Sequence, residues 1–186
     1  MNLNLFGHNK RWLMVDCGIT FEQRLGGGRP AIQMPDPQFI ASRRQNLEAL
    51  IVTHAHEDHL GALPYLWSQL RCPVYTTPFT AAVLRRKNGW RDGKLPEPLI
   101  EVLPGQVHQI GQFRVKWLPI THSTPETCAL QIDVPGCRIL HTADWKIDTH
   151  PVVGAPWNQH QFDRLGDEPL DVVICDSTNA LKPGRS

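Results

Sequence analysis

Positions 54–59 read His-Ala-His-Glu-Asp-His and follow directly on the apolar run Ala49-Leu50-Ile51-Val52-Thr53. Three imidazoles and the carboxylate of Asp58 thus crowd into one short stretch at the end of an expected strand. Zinc and other borderline divalent metals take imidazole nitrogen and carboxylate oxygen at about 2.0–2.2 Å, so side chains of these types can build most of a metal site. In an extended segment residues two apart point the same way, which lets His54 and His56 reach one ion together. Asp58 and His59, at the turn into the next element, can reach a second. The zinc-peptidase pattern His-Glu-x-x-His, with its histidines four apart on a helix, does not occur. A polar loop that is merely rich in histidine is the bland alternative, and so dense a set of ligand types counts against it.

Two further candidates stand where strands are expected to end: His122 in Pro119-Ile120-Thr121-His122-Ser123, and Asp144 in His141-Thr142-Ala143-Asp144-Trp145. Sites collect where such ends converge on one edge of a sheet. His141, three before Asp144, could support the site, although strand alternation accounts for it equally well. His8, His108, His150 and His160 read as exposed or locally hydrogen-bonded, and Asp176 taken alone reads as a strand-end turn former. The tryptophans fit core or insert packing better than base stacking, because no basic residues interleave with them.

The elements that must carry these residues alternate in kind. Arg11 to Asp16 reads as a strand closed by Cys17-Gly18, and Ala49 to Thr53 as a short strand buried on both faces. Between them, roughly Phe21 to Phe39, lies an irregular stretch with Gly26-Gly27-Gly28 and three prolines. Leu60 to Leu70 is apolar at helical spacing, with Pro64 tolerable only near a first turn. Pro73 to Thr76 is strand-like, and Pro78 to Lys87 reads as a helix starting on proline. Further on, Ile100–Leu103 and Phe113–Leu118 alternate as half-buried strands do. Cys128–Val134 and Cys137–Leu140 flank Pro135-Gly136 as a hairpin. Leu170–Asp176 is the last expected strand. Strand–helix units followed by hairpins point to mixed α/β layers rather than a doubly wound sheet.

A length of 186 residues suits one domain with a substantial core. The formal net charge of +1 lacks the electrostatic footprint of a dedicated nucleic-acid binder. The five cysteines contain no Cys-x-x-Cys, which argues against a disulfide framework or a thiolate zinc site. Cys17 and Cys175 are expected as buried thiols. No apolar stretch resembles a signal peptide or reaches the roughly 20 residues of a membrane span, so the expectation is a soluble, cytoplasmic protein with no membrane partner.

The order strand, His-x-His-x-Asp-His, a later lone His and then a lone Asp resembles the metallo-β-lactamase superfamily. That resemblance implies that His54, His56 and His122 would hold one zinc, that Asp58 and His59 would hold the other, and that Asp144 would bridge them. Asp16 of Val15-Asp16-Cys17-Gly18 would support the histidine loop from behind. The strings Leu13–Gly18, Thr53–Tyr65, Thr142–Lys146 and Cys175–Asn179 are similar to the ribonuclease J family of the β-CASP branch, and the likeness covers nearly the whole chain.

The implied fold is α/β (α+β), a metallo-β-lactamase-type αββα sandwich over residues 1–186, incomplete at the C-terminal side. In that family a Gly-rich strand precedes the segment beginning here at Met1. The β-CASP insert, a last ligand histidine and the rest of the second sheet follow the segment ending here at Ser186. The implied activity is hydrolysis of RNA phosphodiester bonds by a hydroxide activated between two zinc ions, with manganese as the second candidate metal. Asp58 would orient the water, and Asp176 would orient a proton-donating histidine. RNA is the implied partner, and the complete protein could form a homo-oligomer. The alternatives are a hydrolase of a small ester, thioester or lactone on the same fold, or a zinc-binding fragment without catalysis; Asp-Ser-Thr-Asn after the last strand favours the nuclease.

Overall fold

The computed structural model describes residues 1–22, 31–87, 90, 95–178, 180, 181 and 183. Gly26-Gly27-Gly28, Asn179 and Ser186 lie outside them. In chain order the elements are β1 (Asn4–His8), β2 (Arg11–Val15), β3 (Thr20–Glu22), β4 (Ala31–Gln33), α1 (Gln38–Ala41), β5 (Leu47–Ile51), α2 (Glu57–Leu60) and α3 (Leu63–Leu70). They continue with β6 (Val74–Thr76), α4 (Pro78–Arg86), β7 (Leu99–Glu101), β8 (Val107–Ile110), β9 (Phe113–Pro119), β10 (Cys128–Val134), β11 (Cys137–His141), α5 (Gln159–Asp163) and β12 (Val172–Ile174).

Two five-stranded sheets result, ordered β1-β2-β5-β6-β7 and β12-β11-β10-β9-β8, with β3 and β4 as a separate pair. The first is parallel from β2 through β7 with an antiparallel edge at β1; the second is antiparallel except for the β11–β12 pair. Period-two alternation sorts β2 and β5 between two cores. Leu13, Val15, Ala49 and Ile51 point into the layer between the sheets, where they meet Phe113, Val115, Trp117, Leu130 and Ile132. Met14, Leu50 and Val52 point the other way, onto Leu60, Leu63, Leu66, Leu70 and Leu84 from the helices. A smaller cluster on the far face of the second sheet joins Leu118, Ala129 and Leu140 to Leu165, packed against Phe162 of α5. The layers therefore run helix, sheet, sheet, helix. Burial on both faces explains why Ala49–Thr53 reads as an unbroken apolar run.

Several expectations need correction. The stretch taken as irregular carries strands β3 and β4 and helix α1. The helix expected over Leu60–Leu70 is two pieces, and Pro64 stands in the first turn of α3, where a missing N–H costs nothing. Strands β1 and β8 carried no recognised signal, β7 starts one residue earlier and ends two earlier than expected, and β12 covers only the middle of Leu170–Asp176. That brevity exposes Cys175, against expectation, because β12 is an edge strand; Cys17 is buried as expected. His108 is neither exposed nor hydrogen-bonded. Its ring packs between Tyr75 and Trp117, with a buried Nδ1 that has no partner. Among the described residues no helix is long and apolar enough to cross a membrane.

Candidate metal centre

Strand β5 ends at Ile51, the chain bends at His54 and Ala55, and the short helix α2 begins at Glu57 after an extended His56. His54 and His56 meet across this bend rather than along the extended segment expected: His54 Nε2 and His56 Nδ1 are 3.0 Å apart. His122, at the end of β9, brings its Nε2 to 3.1 Å from the same His56 Nδ1. Three ring nitrogens facing one another at this spacing cannot all satisfy one another as hydrogen bonds, since each neutral imidazole has a single N–H. A shared cation satisfies all three.

The second group forms where α2 opens. Asp58 Oδ2 is 3.4 Å and Asp144 Oδ1 3.3 Å from His59 Nε2. The other oxygen of Asp144 faces the first group, 3.8 Å from His122 Nε2 and 4.0 Å from His54 Nε2. One carboxylate thus adjoins both clusters. The six residues singled out from the sequence fall into two sets, His54, His56, His122 and Asp144, then Asp58, His59 and Asp144, each with its donor atoms within 4.8 Å of one another. Asp144 reaches this position because Ala143 takes a left-handed turn (φ 51°) after β11. A bridge between Thr121 and Lys146 ties the two loops that carry His122 and Asp144.

Behind the imidazoles stands Asp16, fully buried. Its Oδ1 accepts from the Thr53 backbone N–H at 2.9 Å and from the Thr53 hydroxyl at 3.0 Å, and its Oδ2 lies 2.8 Å from His59 Nδ1. The Thr53 hydroxyl is also 3.0 Å from His54 Nδ1. These contacts hold the δ nitrogens of His54 and His59 on the inner side and leave their ε nitrogens free for the two groups, the arrangement a metal-binding imidazole needs.

The electrostatics follow the packing. Burial would depress the His59 imidazolium, but the charge of Asp16 and hydrogen bonds to Asp144, Asp16 and Asp58 hold it up to about 11. His54 is driven down to about 3 by burial, and then by the positive charge of His59. Burial, then His56, lowers His122. Hydrogen bonding to His59 keeps Asp58 and Asp144 below the usual carboxylate range against the opposing effect of burial. The packing thus holds His54 and His122 neutral and the carboxylates ionised, the states in which both bind metal, whereas His59 carries a proton that an ion would have to displace.

Asp176 sits apart. Its Oδ1 accepts from the Thr178 backbone at 2.8 Å and the Thr178 hydroxyl at 2.6 Å, a turn-forming pattern, and it joins neither donor group. It does line, with Asn2, Asp58, His59, His141 and Asp144, a cavity of about 360 Å³ open on the second group. His141 is buried there beside Asn4. Trp145 and Trp157 stack on each other outside both sheets' common core, and Trp157 stacks in turn on Phe162. Sequence reasoning missed Thr53 and Asn2, neither of which is a conspicuous ligand type.

The profile of the metallo-beta-lactamase superfamily matches residues 2–173. Ribonuclease J of Sinorhizobium meliloti is 41% identical over the whole chain, and ribonuclease J of Mycolicibacterium smegmatis 40%. The chain spans about a third of the length of these curated relatives, 34% and 33%. Among solved structures, the metallo-beta-lactamase fold protein YhfI from Bacillus subtilis superposes with a TM-score of 0.59 at 20% identity, over 92% of this chain and 61% of that one.

Proposed function

This chain belongs to the metallo-β-lactamase superfamily, and from that membership we propose that it carries the dinuclear zinc centre of a ribonuclease of the ribonuclease J type, acting on RNA phosphodiesters in the cytoplasm. The observation that carries the reading is the single Asp144 carboxylate between two donor groups, Oδ1 at 3.3 Å from His59 Nε2 and Oδ2 at 3.8 Å from His122 Nε2. Its support for RNA comes from relatives named ribonuclease J at 37–41% identity. An imidazole-rich donor set suits zinc better than manganese.

In this reading His54, His56 and His122 hold one ion, Asp58 and His59 the other, and Asp144 both. Zinc pairs supply a Lewis acid for phosphoryl oxygens and a water acidified toward neutral pH. The protein's part is orientation. Asp16 and Thr53 fix the rings of His54 and His59, so that neither can turn its protonated face to the substrate. Asp58, half-buried at the mouth of the cavity, accepts a proton-bearing neighbour on Oδ2. Ser123 Oγ, 3.3 Å from His56 Nε2, holds the outer edge of that ring. Asp176 at the cavity rim positions a proton donor for the leaving oxygen.

The test is cleavage of end-labelled single-stranded RNA by the zinc-loaded, full-length protein. His56→Ala and Asp58→Ala should each lower the rate by more than about 100-fold, beyond what loss of an outer partner costs, with circular dichroism unchanged. Cleavage retained in either variant would refute the assigned roles. Hydrolysis of lactone or thioester substrates with no action on RNA would replace the nuclease by the small-ester enzyme.

A further inference from the structure

The outer face of the second sheet carries a cavity of about 550 Å³ in which none of the metal-centre residues takes part. Alternation along β9 sends Phe113, Val115 and Trp117 into the core and leaves Arg114 and Lys116 on this outer face. Opposite them in register stand Asp133 and Gln131 of β10, and Asp133 in turn faces Arg138 of β11. Asp133 accepts from Arg114 Nη1 at 3.0 Å, from Arg138 Nε at 2.9 Å and from Gln131 Nε2 at 2.8 Å. Gln131 is only 7% exposed, so the floor beneath the cations is built rather than loose. One carboxylate anchors two guanidinium planes. Among the described residues Arg114 Nε and Nη2 and Arg138 Nη2 have no protein partner, so each plane keeps N–H donors for a ligand.

Arg164, at the end of α5, lines the same cavity, and neither it nor Lys116 has an ion pair among the described residues. The carboxylates here are Asp133 and Glu168, the second paired with Arg138. Four cations thus stand against two carboxylates. The whole chain carries only +1, so the positive charge is gathered here and the rest of the molecule is slightly negative. Guanidinium forks match the paired oxygens of a phosphate. The cavity also lies within reach of the metal centre. Gln161, on its rim, donates to the Pro119 carbonyl at 3.1 Å, and Lys116 stands six positions before His122, at most about 20 Å of chain. The stack of Trp145, Trp157 and Phe162 runs from the residue after Asp144 to the residue after Gln161. Basic grooves follow a single strand over about 4–16 nucleotides. We propose that this cavity is a second contact for the RNA substrate, binding backbone phosphates several nucleotides away from the bond cut at the metal centre. This rests on the reading of the chain as a ribonuclease.

Lys116→Ala combined with Arg164→Ala removes the two cations that hold no ion pair and leaves the Asp133 network intact. Binding is read by fluorescence anisotropy on single-stranded RNA of about 16 and about 4 nucleotides, in the full-length protein carrying Asp58→Ala to keep the RNA uncut. The double variant should weaken the long RNA by tenfold or more and leave the short RNA within twofold. Its salt slope for the long RNA should fall by about 1.4, the value for two phosphate contacts on a single strand. Lys10→Ala with Arg44→Ala, the same loss of charge on exposed side chains elsewhere, should leave both RNAs within twofold. Lys116→Arg with Arg164→Lys should hold the long RNA within threefold. Unchanged affinity for the long RNA, or equal loss at both lengths, overturns the second contact. Polyglutamate bound more tightly than RNA and lost in the same variant would make the cavity a peptide surface, and a nucleoside triphosphate filling it while the long RNA stays bound would make it a nucleotide pocket; either result overturns the proposal. Failure of the unsubstituted protein to bind or cut RNA of any length would instead overturn the ribonuclease reading, and this contact with it.

Discussion

Asp16 does the least visible work in the centre. It belongs to neither donor group, yet Thr53 N–H, the Thr53 hydroxyl and His59 Nδ1 all converge on its two oxygens. The price is a left-handed backbone at φ 64°, a conformation that costs an ordinary residue about 1–3 kcal/mol and persists only where surroundings enforce it. Asp16→Asn should therefore be informative. An amide has one accepting oxygen, so either His59 or Thr53 meets an N–H where it needs an acceptor. Zinc affinity at the second position should fall by about 10–100-fold, the usual cost of losing such a partner. Stability should fall by about 1–3 kcal/mol for a buried donor left unmade. Chelator competition and urea unfolding measure the two effects, and an unchanged affinity would mean that packing alone orients His59. The sequence announced the six donors because histidine and aspartate at strand ends are chemically conspicuous. Thr53 and Asn2 stayed silent because a hydroxyl and an amide are common everywhere, and only their distances show what they do.

The elements were legible in proportion to their burial. Strands β2 and β5, covered on both faces, announce themselves as apolar runs, and β9 to β11 alternate clearly. The three-residue strands β3, β4 and β12 offer too few residues for any period, and β1 and β8 mix polar with apolar positions at sheet edges. What the pattern could not show is how closely the turn after β2 approaches α2. Cys17 N–H donates to the His59 carbonyl at 2.6 Å and Ile19 N–H to the Glu57 carbonyl at 2.9 Å, a ladder that clamps the ligand-bearing turn to the first sheet. Gly18 lies between these rungs, and a Cβ there would fall 1.6 Å from the Asp58 carbonyl oxygen. Backbone cannot swing aside as a side chain can. Gly18→Ala should destabilise the protein by more than about 2 kcal/mol, as overpacking does, and should displace Asp58 and His59 from Asp144. The expected result is a lower urea midpoint together with loss of the second zinc. A midpoint unchanged alongside full metal content would show that the two segments can part without harm.

Across the molecule, the donors come from both sheets. His54 to His59 follow β5 of the first sheet, while His122 follows β9 and Asp144 follows β11 of the second. His122 and His56 are 66 positions apart in sequence and 3.1 Å apart in space. An unfolded chain keeps only the local cluster together, so the complete donor set exists in the native state alone. Metal that needs the complete set must then stabilise the fold by linkage, about 2.7 kcal/mol when free zinc is 100 times its dissociation constant. For a chain of this length that corresponds to roughly 5–11 °C in the unfolding midpoint. Differential scanning fluorimetry with and without zinc should show this rise, and His122→Ala or Asp144→Ala should remove more than half of it. If the rise instead survived both substitutions, the hexapeptide at positions 54–59 would be holding the ion unaided. The two sheets would then owe their packing to the apolar layer around Trp117, Phe113 and Ile51 rather than to a shared cation.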